Sequence, residues 1–151
     1  MKKKKAIVGI ALGIIMLTSI VGAVSLPTDK NKISEIENKR REKLDFIDNA
    51  SIAWQQGMVG KEEFIRTVEQ SIIDTDALSV EYQSLGLPQK YDRYKSLSVE
   101  SLNIQKEAFL KLKEYVEAED TETQEMKRSE FDQLMISSIQ YHNQALRELE
   151  S

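Results

Sequence analysis

Apolar residues are arranged along this chain in two different patterns. The first is an unbroken run from Ala6 to Val24, preceded by Lys2 to Lys5. The second is a set of spaced stripes that begins at Ile33 and continues almost to the C-terminus. The run contains 19 residues, which at 1.5 Å each reach about 28 Å as a helix, close to the roughly 30 Å of a bilayer core. Lysines before such a segment hold the N-terminus on the cytoplasmic side. The chain after Ser25 is therefore expected to face outward.

Two fates suit the run. Its length favours a retained anchor. Its weakly apolar end, with small residues at Val21, Ala23 and Ser25, resembles a signal-peptidase site. A single-pass anchor with its N-terminus inside is the expectation adopted, the alternative being a secreted protein after cleavage. Gly9 and Gly13 form a G-x-x-x-G that would let two spanning helices approach closely, although glycine is also common in such segments.

The stripes predict helices. Ile33, Ile36, Leu44, Ile47, Ala50 and Trp54 recur at steps of three and four or their multiples. So do Phe64, Ile65, Val68, Ile72, Leu78, Tyr82 and Leu85; then Tyr91, Tyr94, Leu97, Leu102, Phe109, Leu112 and Val116; then Phe131, Leu134, Met135, Ile139, His142, Ala145, Leu146 and Leu149, some stripes broadening to two adjacent rows. The first stripe lapses over Lys39–Lys43, so the early turns of that helix are expected to protrude from the bundle. Breakers separate the segments: Gly57 and Gly60, then Gly86-Leu87-Pro88, then the polar run from Glu117 to Thr121. Pro88 suits a first helical turn. Lys61-Glu62-Glu63 puts acids at a helix start, and Thr121 with Gln124 reads as a capping box.

The predicted fold is all-α: an N-terminal membrane or signal helix (1–25) followed by an antiparallel up-down four-helix bundle (26–151). Its helices lie roughly over 29–56, 61–85, 88–117 and 121–150. Short connections make consecutive helices neighbours.

Composition narrows the function. All 25 acidic residues lie after Ser25, with all but four of the 21 lysines and arginines. That acidic exterior argues against nucleic-acid binding. A mixed basic cluster, Lys30 to Lys43, reads as a solvated stalk face. The chain has no cysteine, which excludes disulfides, thiol chemistry, cysteine metal sites and a lipid-modified N-terminal cysteine.

The remaining candidates for chemistry are sparse. His142 is the one histidine; it lies on an apolar stripe and lacks the second Glu-x-x-His of a di-iron bundle or the glycine-rich elbow of a serine hydrolase. It is read as a buried or boundary histidine with one hydrogen bond. Asp74 and Asp76 point to different helix faces. Glu117, Glu119, Asp120 and Glu122 read as an acidic connection. Asn49-Ala50-Ser51 is a glycosylation sequon set inside a helix. Ser71, Ser98, Ser101, Ser137 and Ser138 imply close helix contacts or polar gaps. No cofactor, metal or catalytic residue is expected.

Trp54, Tyr82, Leu87, Tyr91 and Tyr94 flank the first two turns. These turns are taken to lie at one end of the bundle, making an aromatic interaction tip.

The lysine-led apolar run, the Gly57–Phe64 turn and the Leu87-Pro88-Gln89-Lys90-Tyr91 helix start together resemble a loose class of small uncharacterised bacterial and archaeal proteins, exported or signal-anchored and helical. The resemblance is architectural and implies no catalytic residue. The residues themselves lead to the expectation of a non-enzymatic module whose partners are the membrane, through the first segment, and another envelope protein or a second copy. The alternative is a small-ligand or sensor-like four-helix domain. A full receptor is not expected, since no second span is read downstream.

Overall fold

The computed structural model describes residues 27–151. The segment read as anchor or signal, with Gly9 and Gly13, lies outside the described residues. Among those described, no helix is long and apolar enough to cross a membrane.

Four helices make up the described chain, with no strand among the described residues: α1 (Pro27–Gln55), α2 (Lys61–Ser84), α3 (Asp92–Glu117) and α4 (Thr121–Glu148). A single 3-10 turn, Gln89–Tyr91, leads into α3. Pro88 therefore precedes that turn instead of sitting in the first turn of α3. α1 stops in a Schellman motif: Met58 N–H donates to Ala53 O at 2.8 Å and Gly57 N–H to Trp54 O at 3.0 Å. The motif needs a left-handed residue, and Gly57 supplies it with φ +74°. At the start of α4 the cap is Asp120, one residue before the expected Thr121. Its carboxylate accepts from Thr123 N–H at 2.8 Å, while Gln124 Nε2 turns back to Ala118 O.

Contacts between helices give their directions. Lys39 meets Glu81 and Lys43 meets Asp74. Lys106 meets Asp76 and Lys113 meets Glu69. Lys127 meets Glu114, and Ser101 meets Ser138. In each pairing one number rises as the other falls, so consecutive helices are antiparallel. His142 of α4 reaches Arg40 of α1, which closes a four-helix bundle.

Two apolar clusters fill the interior. One gathers Leu44, Ile47, Trp54, Phe64, Phe109 and Phe131 toward the α1–α2 turn. The other gathers Ile33, Ile36, Tyr82, Tyr94, Leu102 and Ala145 toward the α2–α3 turn. Between them every helix contributes buried polar side chains: Glu37 and Arg40 from α1, Thr75 from α2, Ser101 and Gln105 from α3, Ser138 and His142 from α4. This belt corrects the reading of Lys39–Lys43 as a protruding stalk face. The stripe lapses there because α1 turns a carboxylate and a guanidinium inward: Glu37 is 1 % and Arg40 3 % exposed. Burial of such groups is tolerated only when they are paired, and each finds partners.

The aromatic tip is also corrected. α2 runs between the first two turns, and its 24 residues span about 36 Å at 1.5 Å each. Those turns therefore lie at opposite ends. Trp54 packs with Phe64 and Tyr115. Tyr82, Tyr91 and Tyr94 belong to the other cluster, where Lys32 near the start of α1 donates to Gly86 O at 2.7 Å.

Candidate functional site

The belt is the most chemically organised region of the bundle. Glu37 Oε1 accepts from Tyr82 Oη at 2.8 Å and Tyr94 Oη at 2.6 Å. Its Oε2 lies 3.3 Å from His142 Nε2. Arg40 Nη1 is 2.9 Å from His142 Nδ1, and Nη2 donates to Ser101 Oγ at 2.6 Å. A guanidinium only donates, so Nδ1 must be the acceptor and the imidazole proton must sit on Nε2, facing Glu37. His142 is thus a neutral bridge between a buried anion and a buried cation.

The network continues to the far side of the bundle. Ser101 Oγ donates to Ser138 O at 2.6 Å, and Ser138 Oγ donates to Ser101 O at 2.8 Å. This exchange holds α3 and α4 close, at two of the serines read as close contacts. Gln105 accepts from Arg40 at a long 3.5 Å and donates to Thr75 Oγ1 at 3.3 Å. Thr75 in turn donates to Ser71 O. All four helices are joined.

Burial sets the electrostatics. It holds His142 well below the usual histidine value, and the neighbouring Arg40 charge adds to the effect. Burial also raises Tyr82 and Tyr94 well above the usual tyrosine value, with the Glu37 charge acting in the same direction. The tyrosines therefore stay protonated and donate to Glu37. Elsewhere burial, with help from Asp45, pushes the Asp48 carboxyl up to about 6.

In this arrangement His142 is buried and makes one hydrogen bond, as the sequence reading expected, to Arg40; its other ring nitrogen lies near Glu37 Oε2 without a hydrogen bond between them. Most of the belt's polar atoms bond one another, while Glu37 Oε2, Arg40 Nε and the neighbouring Ser98 Oγ are buried without a hydrogen-bond partner.

The other candidates separate in space. Trp54 stacks on Phe64 at 4.8 Å between ring centroids. It also lines an open cleft of about 500 Å³ with Val59, Val116, Lys61 and Glu119. Tyr91 is buried beneath Lys90, and Leu87 is half-buried. Asp74 and Asp76 diverge to lysines of α1 and α3. Asn49 is exposed while Ser51 of the same sequon is buried and accepts from Gln55.

Sequence reasoning missed Glu37 and Arg40 as interior groups; the signal available was the stripe lapse itself. It also passed over the outward face of α2. Ile73 is 60 % and Val80 62 % exposed there, with exposed Ala77 between them. Phe46 is exposed on α1, in the same helical row as Lys39 and Lys43, which reach α2. No protein-family model, curated protein or solved structure matches this chain.

Proposed function

We propose that the chain is a non-enzymatic helical module, held at the outer face of a membrane by residues 1–25, that works by protein association, with another protein of the envelope or with a second copy of itself. The observation that carries this reading is the row Ile73, Ala77 and Val80, standing in solvent on α2. An apolar row with a polar rim is the ordinary composition of a contact surface.

The interior supports the same choice over a ligand-binding domain. Arg40 is the natural anchor for an anionic ligand, and it is already engaged by His142 and Ser101. The cleft beside Trp54 is the feature that favours the ligand-binding alternative.

A photo-crosslinking amino acid at Gln70, beside the row, tests the reading in intact cells expressing the full chain. A discrete adduct is expected. Recovery of the uncrosslinked chain alone, at expression levels where it is abundant, would overturn the proposal.

A further inference from the structure

Gln70, Ile73, Ala77, Val80 and Ser84 follow one another along α2 at steps of three, four, three and four, and all five are exposed. Alternating three- and four-residue steps are the spacing of a coiled-coil seam, which faces one further helix and not solvent. α2 meets its own bundle through a different row, Phe64, Val68, Thr75, Leu78 and Tyr82. The outer seam is thus a second apolar line on the same helix, with no neighbour among the described residues.

The rim of the seam says what can lie on it. Asp74 and Glu81 flank it on one side, Glu69 and Asp76 on the other. Four unpaired acids would repel an identical helix. Each, however, is already met by a lysine of its own chain: Asp74 by Lys43 at 3.1 Å, Glu81 by Lys39 at 2.9 Å, Glu69 by Lys113 at 2.7 Å and Asp76 by Lys106 at 2.8 Å. Both rims are locally neutral on a chain of net charge −4. A basic partner helix would gain little there, whereas two copies of this face can meet without like-charge repulsion. Ala77 between Ile73 and Val80 leaves room for close backbone approach.

We propose that this row is a self-association seam, occupied by the same row of a second copy running parallel to it. The proposal rests on the tethered interaction module described above: copies anchored through residues 1–25 in one membrane share a direction. A parallel two-fold then sets each seam residue against its own counterpart. It also lays the Asp74–Lys43 and Glu81–Lys39 rim against the other copy's Glu69–Lys113 and Asp76–Lys106 rim.

The absence of cysteine makes the test direct. Single substitutions Gln70→Cys and Ser84→Cys lie about 21 Å apart along the helix, so both meet their counterparts only in the parallel arrangement. In membranes carrying the full chain and treated with a mild oxidant, each should give a disulfide-linked species of twice the chain mass. Gln140→Cys, on the exposed face of α4, should give at least tenfold less. Adding Val80→Glu to Ser84→Cys should cut the dimer by a similar factor at unchanged helical content.

No dimer at positions 70 and 84, or an equal yield at position 140, would overturn the seam. A photo-adduct of a different mass at Gln70 without the disulfide dimer would overturn self-association and leave the wider interaction reading standing. No adduct of either kind would remove both.

Discussion

Replacing Arg40 with methionine keeps most of the side-chain volume and removes the one cation of the belt. Three hydrogen bonds go with it, to His142 Nδ1 at 2.9 Å, Ser101 Oγ at 2.6 Å and, at a long 3.5 Å, Gln105 Oε1. Glu37, 1 % exposed, is then left without its counter-charge. Removing one partner of a buried pair typically costs about 3–5 kcal/mol. Glu37 keeps both tyrosine hydroxyls, which puts the expected loss at the lower end, about 3 kcal/mol. For a folded unit of this size that is a fall in Tm on the order of 10 °C.

The double variant Glu37→Gln/Arg40→Met should recover about 1–2 kcal/mol of this loss, because no net charge remains inside. The amide introduced at position 37 can donate to His142 Nε2 once the imidazole proton is free to move to Nδ1. Thermal unfolding of the full chain in mild detergent, followed by circular dichroism, reads both values.

Proton linkage gives a second signature. In the parent chain the folded-state value of His142 lies well below 6.5, from burial first and Arg40 second. The unfolded chain therefore takes up the proton first. The contribution is complete above about pH 6.5 and declines as pH falls toward the folded value, by at most about 1.4 kcal/mol per unit. Arg40→Met removes the second cause and leaves Glu37 beside the ring, so its deficit should narrow from pH 8 to pH 5. A variant within about 0.5 kcal/mol of the parent would refute this reasoning. So would a double variant whose loss equals the sum of the two singles.

Asp48→Asn should raise stability by about 1–2 kcal/mol at pH 8, since the carboxyl held at about 6 is disfavoured in its charged form by the fold. The gain should vanish by pH 4, where the folded carboxyl is already protonated; a urea titration at both pH values checks it. Gly57→Ala forces an L side chain into φ +74° with no contact to compensate, costing about 1 kcal/mol in the same assay. Ser138→Leu should wedge α3 from α4 at their reciprocal serine contact and cost at least about 2–3 kcal/mol. Hydrogen exchange should then show α4 loosening along with Arg40, whose partner Ser101 is displaced.

The helical stripes were legible in the sequence because a 3.6-residue period survives any detail of packing. Leu44, Phe64, Leu102 and Phe131 are buried on that basis alone. Helix starts were legible to within a residue or a turn: Asp120 competes with Thr121 for one cap position, and a 3-10 turn intervenes after Pro88. Glu37 and Arg40 were not legible as interior groups. Charged residues on a helix read as solvated unless their partners are known, and these partners lie as many as 102 positions away. The tip was misplaced by a topological slip: successive turns of an up-down bundle alternate ends, so Trp54 and Tyr91 cannot share one. The seam on α2 was hidden because Ile73 and Val80 stand beside inward positions of the same helix and fall outside the stripe chosen for its core face.

The belt also acts as an axial index for the four rods. Leucine, isoleucine and phenylalanine layers are nearly interchangeable, so apolar packing alone would let one helix slip by a turn, about 5.4 Å, at modest cost. Such a slip in α1 would carry Glu37 and Arg40 out of reach of His142, Tyr94 and Ser101 and into one of the greasy halves. If the chain is pulled along its long axis by a tether at one end, resistance to sliding would concentrate at this polar storey. The layers above and below it would supply bulk stability but little positional memory.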